Sequence, residues 1–321
     1  MRSARARRSE RRRWQAGALL GALLAVTLLL YARRGPAQTQ PPPATRPAPA
    51  TQTTPAAPAP TYPRSLKDYP WLHTAPTYEP LAVRCPTPKG YTRAAVAPGS
   101  WGEWLRYLPL LPAGSPVRLK DDVPLLPGSS PVLAGVVDLD VRKNQECADV
   151  IFRLRAEFLR WAGREAEISF PADNVRLSWQ EWKRGVRPRL VGRRLVLERT
   201  ASPDASRSSF DKYLAAVFAW SGTYSMAAMG RRASYAKLRP GDFFAHPGES
   251  GGGGHGVLIA DVMRDAEGHT WVIVLQGYIP AQSAQLASPD GRQAWIPLVP
   301  YAPAEVPRWG EFKWSELREF R

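Results

Sequence analysis

From Arg84 onward, apolar and polar residues follow rhythms that predict folded elements. Pro98-Gly99-Ser100 supplies a turn and an N-cap, and Trp101, Trp104, Leu105 and Leu108 follow at helical spacing. A short amphipathic helix is therefore predicted over 100–108, ended by Pro109. Val132 to Val141 reads as a strand with Asp138 and Asp140 on one face. Asn144 then stands as the cap of a longer helix whose stripe is Cys147, Ile151, Leu154, Phe158 and Trp161, with Gly163 as its stop.

Residues 165–200 are polar and basic, with Leu190-Val191-Gly192 and Leu195-Val196-Leu197 in hairpin-like alternation. This stretch is predicted to be an insertion between helix and sheet. A second helix is predicted from about Ser208, spaced from Asp211 as in a capping box, with Phe210, Leu214, Val217 and Tyr224 on its apolar stripe. Pro240-Gly241-Asp242 opens a short apolar run, and a glycine tract delivers His255 into a second one, Gly256 to Val262. A third, Thr270 to Leu275, ends on Gln276, and Asp265 to His269 turns between the last two. From Gln282 on, the chain is rich in Pro and Trp and is expected to wrap the sheet as irregular structure. The sum is an α+β fold, helices packed on an antiparallel sheet.

Composition changes the picture upstream. Arginines 2, 5, 7, 8, 11, 12 and 13 precede an uncharged apolar run from Ala16 to Ala32. That charge step keeps the N-terminus inside and exports the rest, and the run is just long enough to span a bilayer. Arg33 and Arg34 spoil cleavage after Gly35-Pro36-Ala37, so an uncleaved anchor in the cytoplasmic membrane is expected, with secretion after cleavage as the alternative. Residues from 35 to about 64 are rich in Pro, Ala, Thr and Gln and cannot form a core. As an extended spacer they would reach about 90 Å. The expected organisation is a signal or anchor segment over 1–34, a Pro-rich linker over 35–79 and one domain over 80–321.

The formal net charge is +16, but nine arginines and one glutamate in residues 1–34 account for +8 of it. The remainder is spread thinly, with no dense basic helix and no recognisable motif, which argues against nucleic acid as a partner. An exported basic domain is instead drawn to anionic envelope polymers.

Candidate chemistry centres on Cys147. If Asn144 is the cap, Cys147 is the third helical residue, where free amide donors and the helix dipole favour a thiolate. His255 is the natural proton acceptor, and Gln276, ending the neighbouring strand, offers an amide oxygen to hold the second ring nitrogen. Together these residues suggest a papain-like thiol hydrolase. Other roles compete for the same residues. Cys147 lies on the apolar stripe, as an inert core thiol would, and Cys85 is the only other cysteine, so the two are also a possible disulfide. His255 can be structural, and a strand-end Gln276 can be an ordinary satisfied polar group. Trp101 and Trp104 are candidates for touching a glycan, or else core. Asp138 and Asp140 read as solvated or structural. His246, His255 and Asp242 match no familiar metal spacing, and Gly251 to Gly254 enters a strand with no Lys-Ser/Thr behind it. Neither a metal nor a cofactor is expected.

Pro240-Gly241-Asp242 followed by Gly254-His255-Gly256-Val257 resembles the turn and histidine strand of the NlpC/P60 and CHAP peptidoglycan hydrolases. That resemblance implies a papain-like (NlpC/P60-like) core, a Cys–His pair and a third polar residue, here Gln276. The departures are the wide separation of Cys147 from His255, which requires the insertion, and the context Gln145-Glu146-Cys147-Ala148-Asp149. A closer resemblance runs over residues 85–321. It is carried by Trp104-Leu105-Arg106-Tyr107-Leu108-Pro109-Leu110, Cys147-Ala148-Asp149, Arg153-Leu154-Arg155-Ala156-Glu157, Pro240-Gly241-Asp242, Gly254-His255-Gly256 and Tyr278-Ile279-Pro280-Ala281-Gln282. In these the chain is similar to the bacterial exported domain-of-unknown-function family number 4846, which brings no established activity. The expectation is an exported cysteine amidase or peptidase acting on a peptide-containing wall polymer such as peptidoglycan. The alternative is a non-catalytic envelope-binding or scaffold module.

Overall fold

The two apolar runs after the glycine tract become the longest strands of the computed structural model, His255–Asp265 and Thr270–Gln276, paired antiparallel. The structure describes residues 68–72, 79–121, 123–125, 133–140, 144–248 and 253–320. All of them lie in the larger of the two units into which the chain divides, Ala56–Arg321. The anchor expected at Ala16–Ala32 and the spacer up to residue 64 fall outside the described residues. Among the described residues no helix is long and apolar enough to cross a membrane.

Nine strands form the main sheet: β1 (Tyr91–Arg93), β2 (Leu133–Val136), β3 (Arg231–Arg232), β4 (Phe243–His246), β5 (His255–Asp265), β6 (Thr270–Gln276), β7 (Gln285–Ala287), β8 (Trp295–Leu298) and β9 (Leu317–Glu319). Their order is β2-β7-β6-β5-β4-β9-β3, all antiparallel, with β8 beside the start of β6 and β1 beside the end of β5. The helices are α1 (Leu81–Arg84), α2 (Trp101–Arg106), α3 (Cys147–Trp161), α4 (Trp179–Lys183), α5 (Arg207–Trp220) and α6 (Thr223–Met229). This overturns the expected α+β arrangement of helices on a papain-like core. The described chain is mostly antiparallel β, organised on a nine-stranded sheet, with few helices.

The physical reason lies in strands too short to show a period. The Pro- and Trp-rich stretch after Gln282, expected to be irregular, supplies β7, β8 and β9. It also supplies a separate antiparallel pair, Ala304–Val306 with Gly310–Phe312. With three or four residues each, such strands leave no alternation to read.

Both faces of the central strands are covered, which is why their sequences run apolar without a break. Leu258, Ala260, Met263, Ile273 and Leu275 enter the core shared with Ile151, Leu154 and Phe158 of α3 and with Trp104 and Leu105 of α2. Val257, Ile259, Val262, Val272 and Val274 enter a second core with Ala304, Val306 and Phe312 of the C-terminal pair. A bulge between Ile259 and Asp261 resets the alternation. It turns Asp261, fully buried, toward two arginines. Arg106 Nη2 of α2 lies 2.7 Å from Asp261 Oδ1, and Arg93 Nε of β1 lies 3.0 Å from Oδ2.

Several boundaries differ from the sequence reading. Ser100 caps α2 as expected, its Oγ accepting from Glu103 N at 3.3 Å, but the helix ends at Arg106. The strand near Val132 stops at Val136, so Asp138 and Asp140 lie beyond it. Asn144 is not a cap: it takes a left-handed turn at φ 52, and Glu146 caps α3. The Asp149 carboxylate accepts from Glu146 N at 2.9 Å, an acidic clamp that outcompetes the earlier Asn. Ser206 rather than Ser208 caps α5, its side chain accepting from Ser209 N at 3.1 Å. Tyr224 belongs to α6 and is 77% exposed, not part of the α5 stripe. The 165–200 stretch holds the expected hairpin, Val186–Val191 with Arg194–Arg199, preceded by a smaller one, Ser169–Ala172 with Val175–Ser178, and by α4.

Candidate active site

His255 opens β5 directly opposite His246, which ends β4. Its neighbour Val257 belongs to the second core, and strand alternation puts the His255 ring on that same face. Gln276 ends β6 on the same face, and its Oε1 lies 2.9 Å from His255 Nε2. The geometry makes Nε2 the donor and leaves Nδ1 as the acceptor nitrogen of the neutral ring. Gln276 Nε2 in turn donates to the Pro307 carbonyl at 3.3 Å.

The loop joining Val306 to Gly310 closes over this pair. The Trp309 ring stacks on His255 with centroids 4.5 Å apart and planes at 27°, and Tyr278 meets the ring edge-on at 5.4 Å. Arg308, at φ 74, stacks its guanidinium 4.9 Å from the Tyr278 ring centre, and its carbonyl accepts from Tyr278 OH at 3.3 Å. Trp309 and the Pro307 carbonyl were not singled out in the sequence, and Tyr278 stood there only within a segment of family resemblance, with no role at the site. A tryptophan-rich tail with no period held no signal for which ring would cover the histidine. His255 is 2% exposed and Gln276 1%. Burial pushes the His255 pKa down to about 4, against the opposing pull of the Gln276 hydrogen bond. The resting ring is neutral at physiological pH.

Cys147 is the first residue of α3, not the third, and it packs in the helix-side core. Its sulfur therefore comes from the face of the sheet opposite the His255 ring. It meets the main chain immediately after His255: the backbone N–H groups of Gly256 and Ala148 hydrogen-bond the sulfur. One close approach seats the helix start here: a Cβ on Gly277 would come within 2.9 Å of Glu146 O, so only glycine lets the helix start lie this close to the end of β6. Gly256 instead makes room for α6, where a Cβ would come within 2.0 Å of Met226 Cε.

The helix end was expected to favour a thiolate, but burial wins. It pushes the Cys147 thiol up to about 11, outweighing the two N–H donors. Burial also holds Asp149, at the third position of the helix, at about 7. Cys85 and Cys147 are both free, and burial pushes Cys85 up to about 12.

Trp101 and Trp104 stand elsewhere and serve packing. Trp104 is fully buried among Tyr69, Trp71, Trp101 and Phe158, and its Nε1 donates to the Asp68 carbonyl at 3.2 Å. Trp101 Nε1 donates to the Gly241 carbonyl at 3.3 Å, and its indole fills the space a Cβ on Gly241 would need. The structure thus joins His255 to Gln276 directly, brings Cys147 to the adjoining main chain, and keeps both tryptophans apart from them.

Residues 81–319 match a protein-family model described as Domain of unknown function (4846). The match covers most of the chain, which belongs to that family. No protein of curated function and no solved structure matches it.

Proposed function

We propose that this member of the domain-of-unknown-function 4846 family is a thiol-dependent amidase or peptidase acting on peptide-containing cell-envelope polymer. The observation that carries the reading is the His255–Gln276 bond of 2.9 Å, set beside a main-chain N–H that holds the Cys147 sulfur. In this reading Gln276 fixes the ring with Nδ1 as acceptor. Substrate binding must first bring the Cys147 sulfur and the His255 ring together round the end of β5, since they lie on opposite faces of the sheet. The Cys147 proton then passes to Nδ1 and the sulfur forms a bond to the substrate carbonyl carbon. The imidazolium returns its proton to the leaving amine as the C–N bond breaks, and water then hydrolyses the thioester. At the start of α3 the Ala148 N–H engages the sulfur and the Asp149 N–H the Glu146 side chain, which leaves the Cys147 N–H to the oxyanion.

Burial restricts when this happens. It raises the Cys147 thiol and lowers the His255 imidazole, so both push against proton transfer while the site stays closed. Substrate binding must therefore open the site and rehydrate His255, with movement of Trp309 as the most direct route. The test is release of new amino groups from purified wall peptide. The full chain should release them, and Cys147→Ala should abolish release while unfolding as the parent does. Equal release by both proteins would overturn the assignment.

A second reading is a non-catalytic envelope-binding or scaffold module, and the burial of all three side chains favours it. It requires that the full chain bind envelope polymer without releasing any amine. Location belongs to the proposal too. The charge step before Ala16–Ala32 supports an exported domain anchored in the cytoplasmic membrane. A reporter fused after Arg321 should be active only outside the cytoplasm.

A further inference from the structure

The hairpin Val186–Val191/Arg194–Arg199 carries a surface that the site above does not use. Its two strands pair from Val186↔Arg199 to Val191↔Arg194, leaving a two-residue turn of Gly192, at φ 63, and Arg193. Both ends are seated: the Arg187 guanidinium near the base lies 3.9 Å from the Trp182 ring centre, and Leu195, opposite Leu190 and one step from the turn, is buried in the helix-side core with its main-chain N–H and carbonyl bonded to Asn174 at 3.0 Å each. The tip beyond Leu195 is exposed. Every residue from Arg189 to Arg194 is exposed, Leu190 at 52% and Val191 at 44%. Five arginines stand on the two strands and their turn against one acidic residue, Glu198, which Arg189 engages at 2.6 Å. Arg193 and Arg194 form no ion pair among the described residues.

We propose that this hairpin tip docks on a bilayer surface bearing anionic lipid headgroups. Charge complementarity and the apolar pair select that partner. Arginines at the turn meet the headgroup phosphates, while Val191 and the exposed flank of Leu190, on opposite faces of the strand, enter the boundary beneath them as the tip inserts end-on. A soluble polyanion would engage the arginines and leave the two aliphatic side chains in water. The proposal does not rest on the thiol reading. It places the domain against a membrane by its own surface, independently of any N-terminal segment.

The experiment uses the full chain carrying Val191→Cys labelled with an environment-sensitive fluorophore, since Cys85 and Cys147 are buried. With vesicles of phosphatidylcholine plus phosphatidylglycerol, the label should shift to the blue and be quenched by brominated lipid. With phosphatidylcholine alone it should not. Adding Arg193→Ser and Arg194→Ser should weaken the response by roughly tenfold or more, as should high salt. Because the readout is local to the tip, membrane attachment elsewhere in the chain does not mimic it. A label that stays aqueous with anionic vesicles overturns the proposal, as does one that responds equally to neutral vesicles. A response to soluble polyphosphate but not to vesicles overturns the lipid assignment.

Discussion

His255 should carry a measurable share of the pH dependence of folding. Its pKa is about 4 in the folded chain against an ordinary 6.5, because burial disfavours the charged ring. The unfolded chain therefore binds this proton more readily. The stability that His255 contributes is complete above about pH 6.5 and is lost as pH falls toward 4. A depression of about 2.5 units corresponds to about 3 kcal/mol. Asp149 and Asp242 act in the opposite sense. Burial raises both to about 7 from 3.8, so the folded chain keeps protons that the unfolded chain releases, and stability falls as pH rises between those values. Asp138, also raised by burial, adds to that trend. The parent protein alone would show only the balance, and the informative comparison is with His255→Gln. Urea unfolding of both proteins between about pH 4 and 7.5 isolates the term. The stability difference, parent minus variant, should shrink by about 3 kcal/mol from the top of that range to the bottom. A difference that stays flat would refute a buried, neutral His255.

Three further outcomes follow from the packing. Gly277→Ala sets a Cβ 2.8 Å from Val150 Cγ2 and 2.9 Å from Glu146 O, and should cost roughly 1–3 kcal/mol in urea unfolding because a backbone oxygen cannot swing aside. Asp261→Ala strands Arg93 and Arg106 without their shared buried carboxylate and should cost about 3–5 kcal/mol in the same assay, whereas Glu198→Ala on the exposed hairpin should cost under about 1 kcal/mol. Trp309→Ala uncovers the His255 ring, and its NMR titration midpoint should rise from about 4 toward 6.5; an unmoved midpoint would mean that other groups keep the ring dry.

The sequence was legible where a period ran long enough. The stripe from Cys147 to Trp161 has four full repeats, and α3 covers that span. The runs ending in Val262 and Leu275 became β5 and β6, and Asp265 to His269 turned between them. His255 and Gln276 stood out because one opens an apolar run and the other closes the next, and in an antiparallel pair the start of one strand lies beside the end of its neighbour. Competition between local caps was not legible. Asn144 and Glu146 both suit a helix start, and the choice between them moved Cys147 by two positions. Nor could the sequence say how deeply a site is buried. Helix position alone favours a thiolate at Cys147, and only the surrounding core reverses the sign. The tail after Gln282 hid three sheet strands and Trp309 because nothing in its composition orders them in space.

The place of β9 in the sheet bears on how the chain can be made. Leu317–Glu319 lies between β4 and β3, pairing with Phe243 and Phe244 on one side and with Arg231 and Arg232 on the other. During vectorial synthesis, β4 therefore emerges long before the segment that closes its edge, with Phe243 and Phe244 already committed to two different cores. Until Glu319 has left the ribosome, that edge offers unpaired backbone beside two large aromatic rings, the condition under which nascent strands find the wrong partner. The domain's most vulnerable moment is thus its last, and maturation should depend on whatever guards an unfinished sheet in the compartment where it folds.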